Sequence, residues 1–164
     1  MPEVYVAAGS NIRPRTHLRE ALVALAAAWP GLRASRAWSN AAVGFAGDDF
    51  INLVVGFETG ESLAKVLERL KAIEAASGRE RGAKKWAPRT LDLDLLLYGD
   101  LVGQFPGARL PRVDLAERAY VLGPLAELAP HHKHPVLGTT FGGLWKAFDR
   151  NSHALREVSL DGEN

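Results

Sequence analysis

The chain contains no cysteine among its 164 residues, which removes disulfides, thiolate nucleophiles, zinc ribbons and iron–sulfur clusters together. A reducing compartment, the cytoplasm, is the expected location. Long apolar runs are missing too. No segment reaches the roughly 18 apolar residues of a transmembrane helix. The opening MPEVYVAAGSN carries Glu3 beside a short apolar run of about six residues, where a secretion signal has a basic start and about 7–15 apolar residues. Neither sign of charge dominates: 20 Lys and Arg face 19 Asp and Glu, a net charge of +1, so nothing global draws the chain to nucleic acid or to a membrane. Neither the G-x-x-x-x-G-K-[ST] phosphate loop nor the G-x-G-x-x-G dinucleotide fingerprint occurs. What remains is an ordinary globular composition, 47% hydrophobic and 24% charged, on a length that suits one domain spanning residues 1–164.

Hydrophobic periodicity divides the chain into elements. Residues 4–8 form a β-prone run ended by the turn triplet Gly9-Ser10-Asn11. Leu18, Leu22, Leu25 and Trp29 recur at spacings of three and four, one face of a helix over 15–29 stopped by Pro30-Gly31. A strand is expected over 32–38, an exposed loop over 40–49 and a strong strand over 50–58. Ser62 then caps a second helix that carries Leu63, Val66, Leu67, Leu70 and Ile73 and runs to Gly78. Residues 90–98 supply a further strand. Strand, helix, strand, strand, helix, strand is the order of an α+β, ferredoxin-like βαββαβ core, an antiparallel sheet with both helices on one face. Residues 99–160 read as C-terminal additions to this 1–98 core: a segment with two prolines and two glycines over 101–112, a helix over 115–128 interrupted at Gly123-Pro124, and a short helix over 140–148. The polar residues 161–164 are expected to be a loose end, and His17 and His153 to lie on the surface.

Chemistry concentrates in residues 78–95, where five cations, Arg79, Arg81, Lys84, Lys85 and Arg89, precede Asp92 and Asp94. In a strand, residues two apart share a face, so the two carboxylates project together while Leu91, Leu93 and Leu95 enter the other side. Paired Asp oxygens suit Mg²⁺ when phosphate and water complete its shell. The other reading of the pair is one Asp bound to Arg89 with its neighbour facing water. Arg and Lys on a Gly-containing loop suit a metal-bound polyphosphate, since guanidinium forks match phosphate oxygens; the plainer reading is a solvated loop. Trp86, an indole among charges, favours a ligand or a closing loop. His131-His132-Lys133-His134 lacks fixed spacing to a fourth ligand and is read as loop.

The run Trp86-Ala87-Pro88-Arg89-Thr90-Leu91-Asp92-Leu93-Asp94-Leu95-Leu96-Leu97-Tyr98-Gly99 closely resembles the signature of the 6-hydroxymethyl-7,8-dihydropterin pyrophosphokinases of the folate pathway. Tyr5-Val6-Ala7-Ala8-Gly9-Ser10-Asn11, Phe50-Ile51-Asn52, and Ile73-Glu74 through Gly78-Arg79 extend the resemblance over residues 4–130. It implies ATP as co-substrate, a reduced pterin as acceptor, two Mg²⁺ ions held by Asp92 and Asp94, and attack of the pterin hydroxyl on the β-phosphorus. It also implies roles for further residues. Arg79 and Arg89 would stabilise charge on the moving group, flanked by Arg81 and Lys85, with Trp86 covering the closed site and Leu95 at the adenine end. Arg109, Arg112 and Arg118 would be further nucleotide contacts. Phe50 and Tyr120 would sandwich the pterin, Asn52 would bond its amide edge, and backbone groups from Asn40 to Val43 would complete recognition. Taken singly, Phe50 reads better as ordinary core, Tyr120 as an apolar-helix residue and Asn52 as an edge-strand residue; only their occurrence in the family's order reverses this.

The chain departs from the pattern at three places. Arg112 stands where the family commonly has His, and arginine does not titrate near neutrality. The 43–49 loop is short and lacks the usual prolines, and Ala87 replaces a frequent Gly. A paralogue with the same ATP chemistry and another hydroxymethyl heterocycle is therefore the alternative enzyme. An RNA-recognition domain shares the topology, but its K/R-G-F/Y-G/A-F-V-x-F/Y signature is absent and Asp92 and Asp94 would repel RNA. A monomer working on small molecules, with no nucleic acid or membrane partner, is expected.

Overall fold

A computed structural model describes residues 1–40, 50–77, 90–149 and 154–162. Its elements are β1 (Glu3–Ser10), α1 (Pro14–Ala28), β2 (Arg33–Ala34), β3 (Ala37–Asn40), β4 (Phe50–Glu58), α2 (Leu63–Ala76), β5 (Asp92–Tyr98), β6 (Gly103–Phe105), β7 (Ala108–Leu110), α3 (Ala119–Leu128), α4 (Phe141–Ala147) and β8 (Arg156–Val158). The main sheet runs β5-β1-β4-β3-β8, with β2 also paired to β4, and every pairing is antiparallel. This is the α+β, ferredoxin-like arrangement that the element order implies.

Each side chain's face follows from strand alternation. Val4, Val6 and Ala8 of β1, with Leu53, Val55 and Phe57 of β4, pack against Leu18, Leu25 and Trp29 of α1 and Val66 and Leu70 of α2. Tyr5 and Val54 point the other way, into a second core with Leu122 and Leu125 of α3 and Phe141 of α4. The segment 115–148 thus does more than extend the core, for it covers the sheet's second face. That explains the unbroken burial from Ile51 to Phe57, since a strand buried on both faces carries a continuous apolar run. Ser62 accepts a hydrogen bond from Lys65 N and caps α2, as its position predicts.

Several sequence expectations need correction. The strand over 32–38 is two pieces, and Asn40 ends β3 instead of opening a loop. The cause is Ser35, whose hydroxyl oxygen accepts the Val54 N–H at 2.9 Å and takes the place of a backbone carbonyl between β2 and β3. The helix expected over 115–128 starts only at Ala119 and runs through Gly123-Pro124 unbroken; a glycine before proline lacks the Cβ that would clash with the ring. Residues 101–112 hold the hairpin β6-β7, turned by Pro106-Gly107 with Gly107 at φ +86. His17, expected at the surface, is buried, its Nδ1 against the Ile12 carbonyl. Of the expected loose end, 161–162 are tied to the fold and 163–164 lie outside the described residues: β8 pairs with β3, Arg15 donates to Ser159 O at 2.9 Å and Arg19 to Gly162 O at 2.7 Å. His132 stacks against Phe141, and His134 Nδ1 accepts the backbone N–H groups of Val136 and Leu137, both at 3.1 Å. Among the described residues no helix is long and apolar enough to cross a membrane. His153 lies outside them.

Candidate active site

Sheet register assembles the site. Gly9 of β1 stands opposite Asp92 of β5 on one side and Asn52 of β4 on the other, while Ala7 stands opposite Asp94 and Phe50 opposite Asn40. Directly paired residues present their side chains on the same face, so Asp92, Asp94, Phe50, Asn52 and Asn40 gather on the face that α3 covers. The small residues Ala7 and Gly9 leave a trough between them. A cavity of about 310 Å³ occupies it, walled by Asn40, Phe50, Asn52, Asp92, Asp94, Arg112 and by Tyr120 of α3.

Close packing fixes the amide in this trough. Asn52 is buried and its Nδ2 donates to Asn40 Oδ1, as a buried amide must. A Cβ on Gly9 would stand 2.6 Å from Asn52 Oδ1, so only glycine leaves the amide where it is. Two aromatic rings and an oriented amide suit a flat heterocycle rich in donors and acceptors.

A second cavity of about 610 Å³ adjoins the first. Its wall takes Leu70, Lys71 and Glu74 from α2, Asp94 and Leu95 from β5, Arg109 from β7, and Arg112 and Asp114 from the segment after it. Asp94 and Arg112 line both cavities. Strand β5 is the outer strand of the sheet, and its Leu93 N–H is taken by Glu74 Oε2 at 3.0 Å. Helix α2 thereby holds the backbone between the two aspartates.

Arg112 is gripped by two carboxylates, Nη1 at 2.7 Å from Asp94 Oδ2 and Nε at 2.7 Å from Asp114 Oδ1. Burial works against the guanidinium charge, but Asp94 and Asp114 outweigh it and raise the Arg112 pKa above its ordinary value. Burial likewise pushes Asp114 up, and the Arg112 N–H bond and charge pull its carboxyl below the usual range. Arg118 lies 3.5 Å from Asp114 Oδ2 and lines neither cavity. The sequence leaves the partner of Asp94 open between metal and Arg89; the partner seen is Arg112, and Arg89 is outside the described residues.

Asp92 and Asp94 fit a hard divalent cation whose other ligands come from phosphate and water. Among the described residues no cluster of three or more His, Cys, Asp or Glu forms a self-sufficient metal cage. Of the residues singled out from sequence, the fold brings together Asn40, Phe50, Asn52, Asp92, Asp94, Leu95, Arg109, Arg112 and Tyr120. Val43, Arg79, Arg81, Lys85, Trp86 and Arg89 lie outside the described residues. Sequence reasoning does not single out Lys71, Glu74 or Asp114 as site residues. A helical wheel of α2 carries a signal for the first two, since Leu67, Leu70, Lys71 and Glu74 share one face.

Residues 5–130 match the family model of 7,8-dihydro-6-hydroxymethylpterin-pyrophosphokinase (HPPK). The chain is 39% identical over 137 residues to the 2-amino-4-hydroxy-6-hydroxymethyldihydropteridine pyrophosphokinase of Pseudomonas aeruginosa, covering 80% of this chain and 83% of that one. The Synechocystis enzyme of the same name is 37% identical over 138 residues, covering 82% and 70%. Among solved structures, the wild-type HPPK-DHPS of Plasmodium falciparum with SDX-DHP superposes with a TM-score of 0.66 at 15% identity, over 92% of this chain and 44% of that one. At that identity the likeness speaks for the fold. With the motif segments, the fold and two cavities meeting at Asp94 and Arg112, the matches lead to one conclusion: the chain belongs to the 7,8-dihydro-6-hydroxymethylpterin-pyrophosphokinase family.

Proposed function

We propose that the chain transfers the pyrophosphoryl group of ATP to the hydroxymethyl group of 6-hydroxymethyl-7,8-dihydropterin, giving the pterin diphosphate and AMP for folate synthesis. The observation that carries this reading is the junction of the two cavities at Asp94 and Arg112. Such a junction is where an acceptor hydroxyl and a triphosphate would meet. The hydroxyl oxygen forms a bond to the β-phosphorus, the bond from that phosphorus to the oxygen bridging it to the α-phosphorus breaks, AMP leaves with that oxygen, and the hydroxyl proton is released.

In this assignment the pterin lies in the smaller cavity between Phe50 and Tyr120, with Asn52 bonding its amide edge and Asn40 holding Asn52. The nucleotide lies in the larger one, with Leu95 and Leu70 as apolar wall and Arg109 and Arg112 toward its phosphates. Asp92 and Asp94 would hold Mg²⁺, two ions by the family resemblance, which supply charge neutralisation on the triphosphate. Positioning then supplies most of the remaining catalysis. Arg79, Arg81, Lys85, Trp86, Arg89, Arg118 and Val43 keep the roles the resemblance implies. Residues 1–164 act in this reading as one unit, a cytoplasmic monomer acting on small molecules only.

The test is AMP formation with a panel of hydroxymethyl heterocycles, run beside Asp92→Asn and Asp94→Asn. The expected result is activity with 6-hydroxymethyl-7,8-dihydropterin, dependent on Mg²⁺ and reduced about a hundredfold or more in either variant. Activity with another heterocycle alone would transfer the assignment to the paralogue reading. Full activity of both variants would remove the aspartates from the metal site.

A further inference from the structure

One close ion pair in the site opposes the chemistry assigned to it. Asp94 is read as a metal ligand, yet its Oδ2 is held by Arg112 Nη1 at 2.7 Å. The same guanidinium is held from behind by Asp114 at 2.7 Å, and the Arg112 backbone N–H donates to Leu96 O at 3.0 Å, which fixes its main chain to β5. A carboxylate oxygen bonded to a guanidinium is a poor ligand for a second cation, because that cation must approach a positive charge.

We propose that Arg112 is a resident counter-charge that shields Asp94 from metal until a polyphosphate draws it away. The inference rests on the reading of Asp92 and Asp94 as metal ligands. Arg112 lines the larger cavity as well as the smaller one. A triphosphate in the larger cavity offers the fork a set of anionic oxygens that it matches better than a shared carboxylate. Asp114 holds Nε and keeps the side chain in place while Nη1 changes partner. Asp94 is then free for the metal that arrives with the nucleotide. Arg112 is a positioning residue in this scheme: it makes metal and nucleotide binding cooperative and keeps the acidic pair from taking up free divalent ions.

The test uses the full chain and two separate ligands. Mn²⁺ binding without nucleotide is followed by the electron paramagnetic resonance of the free ion. Binding of α,β-methylene-ATP, in which the scissile bond is replaced, is followed by calorimetry with EDTA present. Arg112→Gln is expected to tighten Mn²⁺ binding by about three- to tenfold and to weaken metal-free analogue binding by a similar factor. Arg112→Lys, which keeps the charge and loses the fork, is expected between wild type and Arg112→Gln in both. A purely structural role would weaken both ligands together, and that result, or unchanged Mn²⁺ binding, would overturn the proposal. Asp94→Asn separates the two levels of the argument. If it leaves Mn²⁺ binding unchanged, the metal-site reading falls and the inference with it. If it weakens Mn²⁺ binding while Arg112→Gln does not tighten it, only the inference falls.

Discussion

Gly9 and Asn52 face each other across the β1-β4 pairing, and a single methyl group on Gly9 would displace the amide that lines the smaller cavity. Gly9→Ala would force the Asn52 amide out of its bond with Asn40, because the new Cβ would stand 2.6 Å from Asn52 Oδ1. The loss of one oriented hydrogen bond is worth about 0.5–1.5 kcal/mol. The pterin KM should therefore rise by about three- to tenfold, while the ATP KM stays near wild type; steady-state kinetics in both substrates checks this. At this scale the sequence was partly readable. Asp92 and Asp94 share a face because strands alternate, and that needs no tertiary information. The bonds from Arg112 to Asp94 and Asp114 were not readable, since guanidinium and carboxylate pairs satisfy each other at many distances along a chain. His17 shows the same limit, its burial being decided by the Ile12 carbonyl it meets and not by its residue type.

Strand β5 carries the two aspartates on the outer edge of the sheet, where unpaired N–H groups are normally left to solvent. Glu74 of α2 takes the Leu93 N–H between them and so ties the helix to the strand. Glu74→Ala should cost about 1 kcal/mol of stability, measured by urea denaturation, and reduce turnover by more than that stability loss explains. Glu74→Gln keeps an acceptor for Leu93 N–H and should restore the stability. Equal stability in the wild type and Glu74→Ala would remove the tie. Elements β1, α1, β4, α2 and β5 were legible because each carries a clean period of 2 or 3.6 or a continuous apolar run. Hairpin β6-β7 and strand β8 were not, being three-residue strands too short to show a period. The break between β2 and β3 depends on one serine hydroxyl entering the ladder, which propensity does not register.

For the whole molecule, the second face of the sheet is the part that sequence order alone left open. Residues 110–148 close it, and they bring Arg112 and Tyr120 to carboxylates and an aromatic set earlier in the chain. His132 and His134 belong to that layer, packed against Phe141. Burial lowers the His134 pKa from its ordinary 6.5, and its Nδ1 must stay unprotonated to accept two backbone N–H groups. The folded protein therefore binds fewer protons at this site than the unfolded chain does. The resulting stabilisation is complete above about pH 6.5 and is lost as the pH falls below it through the folded value. Denaturation at about pH 8 and about pH 5 should show a smaller acid loss in His134→Asn, whose amide oxygen accepts without titrating, than in wild type; identical losses would exclude His134 as a source. In the proposed reaction one chain holds a pterin and a triphosphate on either side of Asp94 and Arg112 and moves two phosphates in one step. Phosphorus NMR of a reaction containing ATP, Mg²⁺ and 6-hydroxymethyl-7,8-dihydropterin tests it most directly. AMP and pterin diphosphate should appear in equal amounts with no ADP; ADP with a pterin monophosphate would mean transfer of a single phosphate instead.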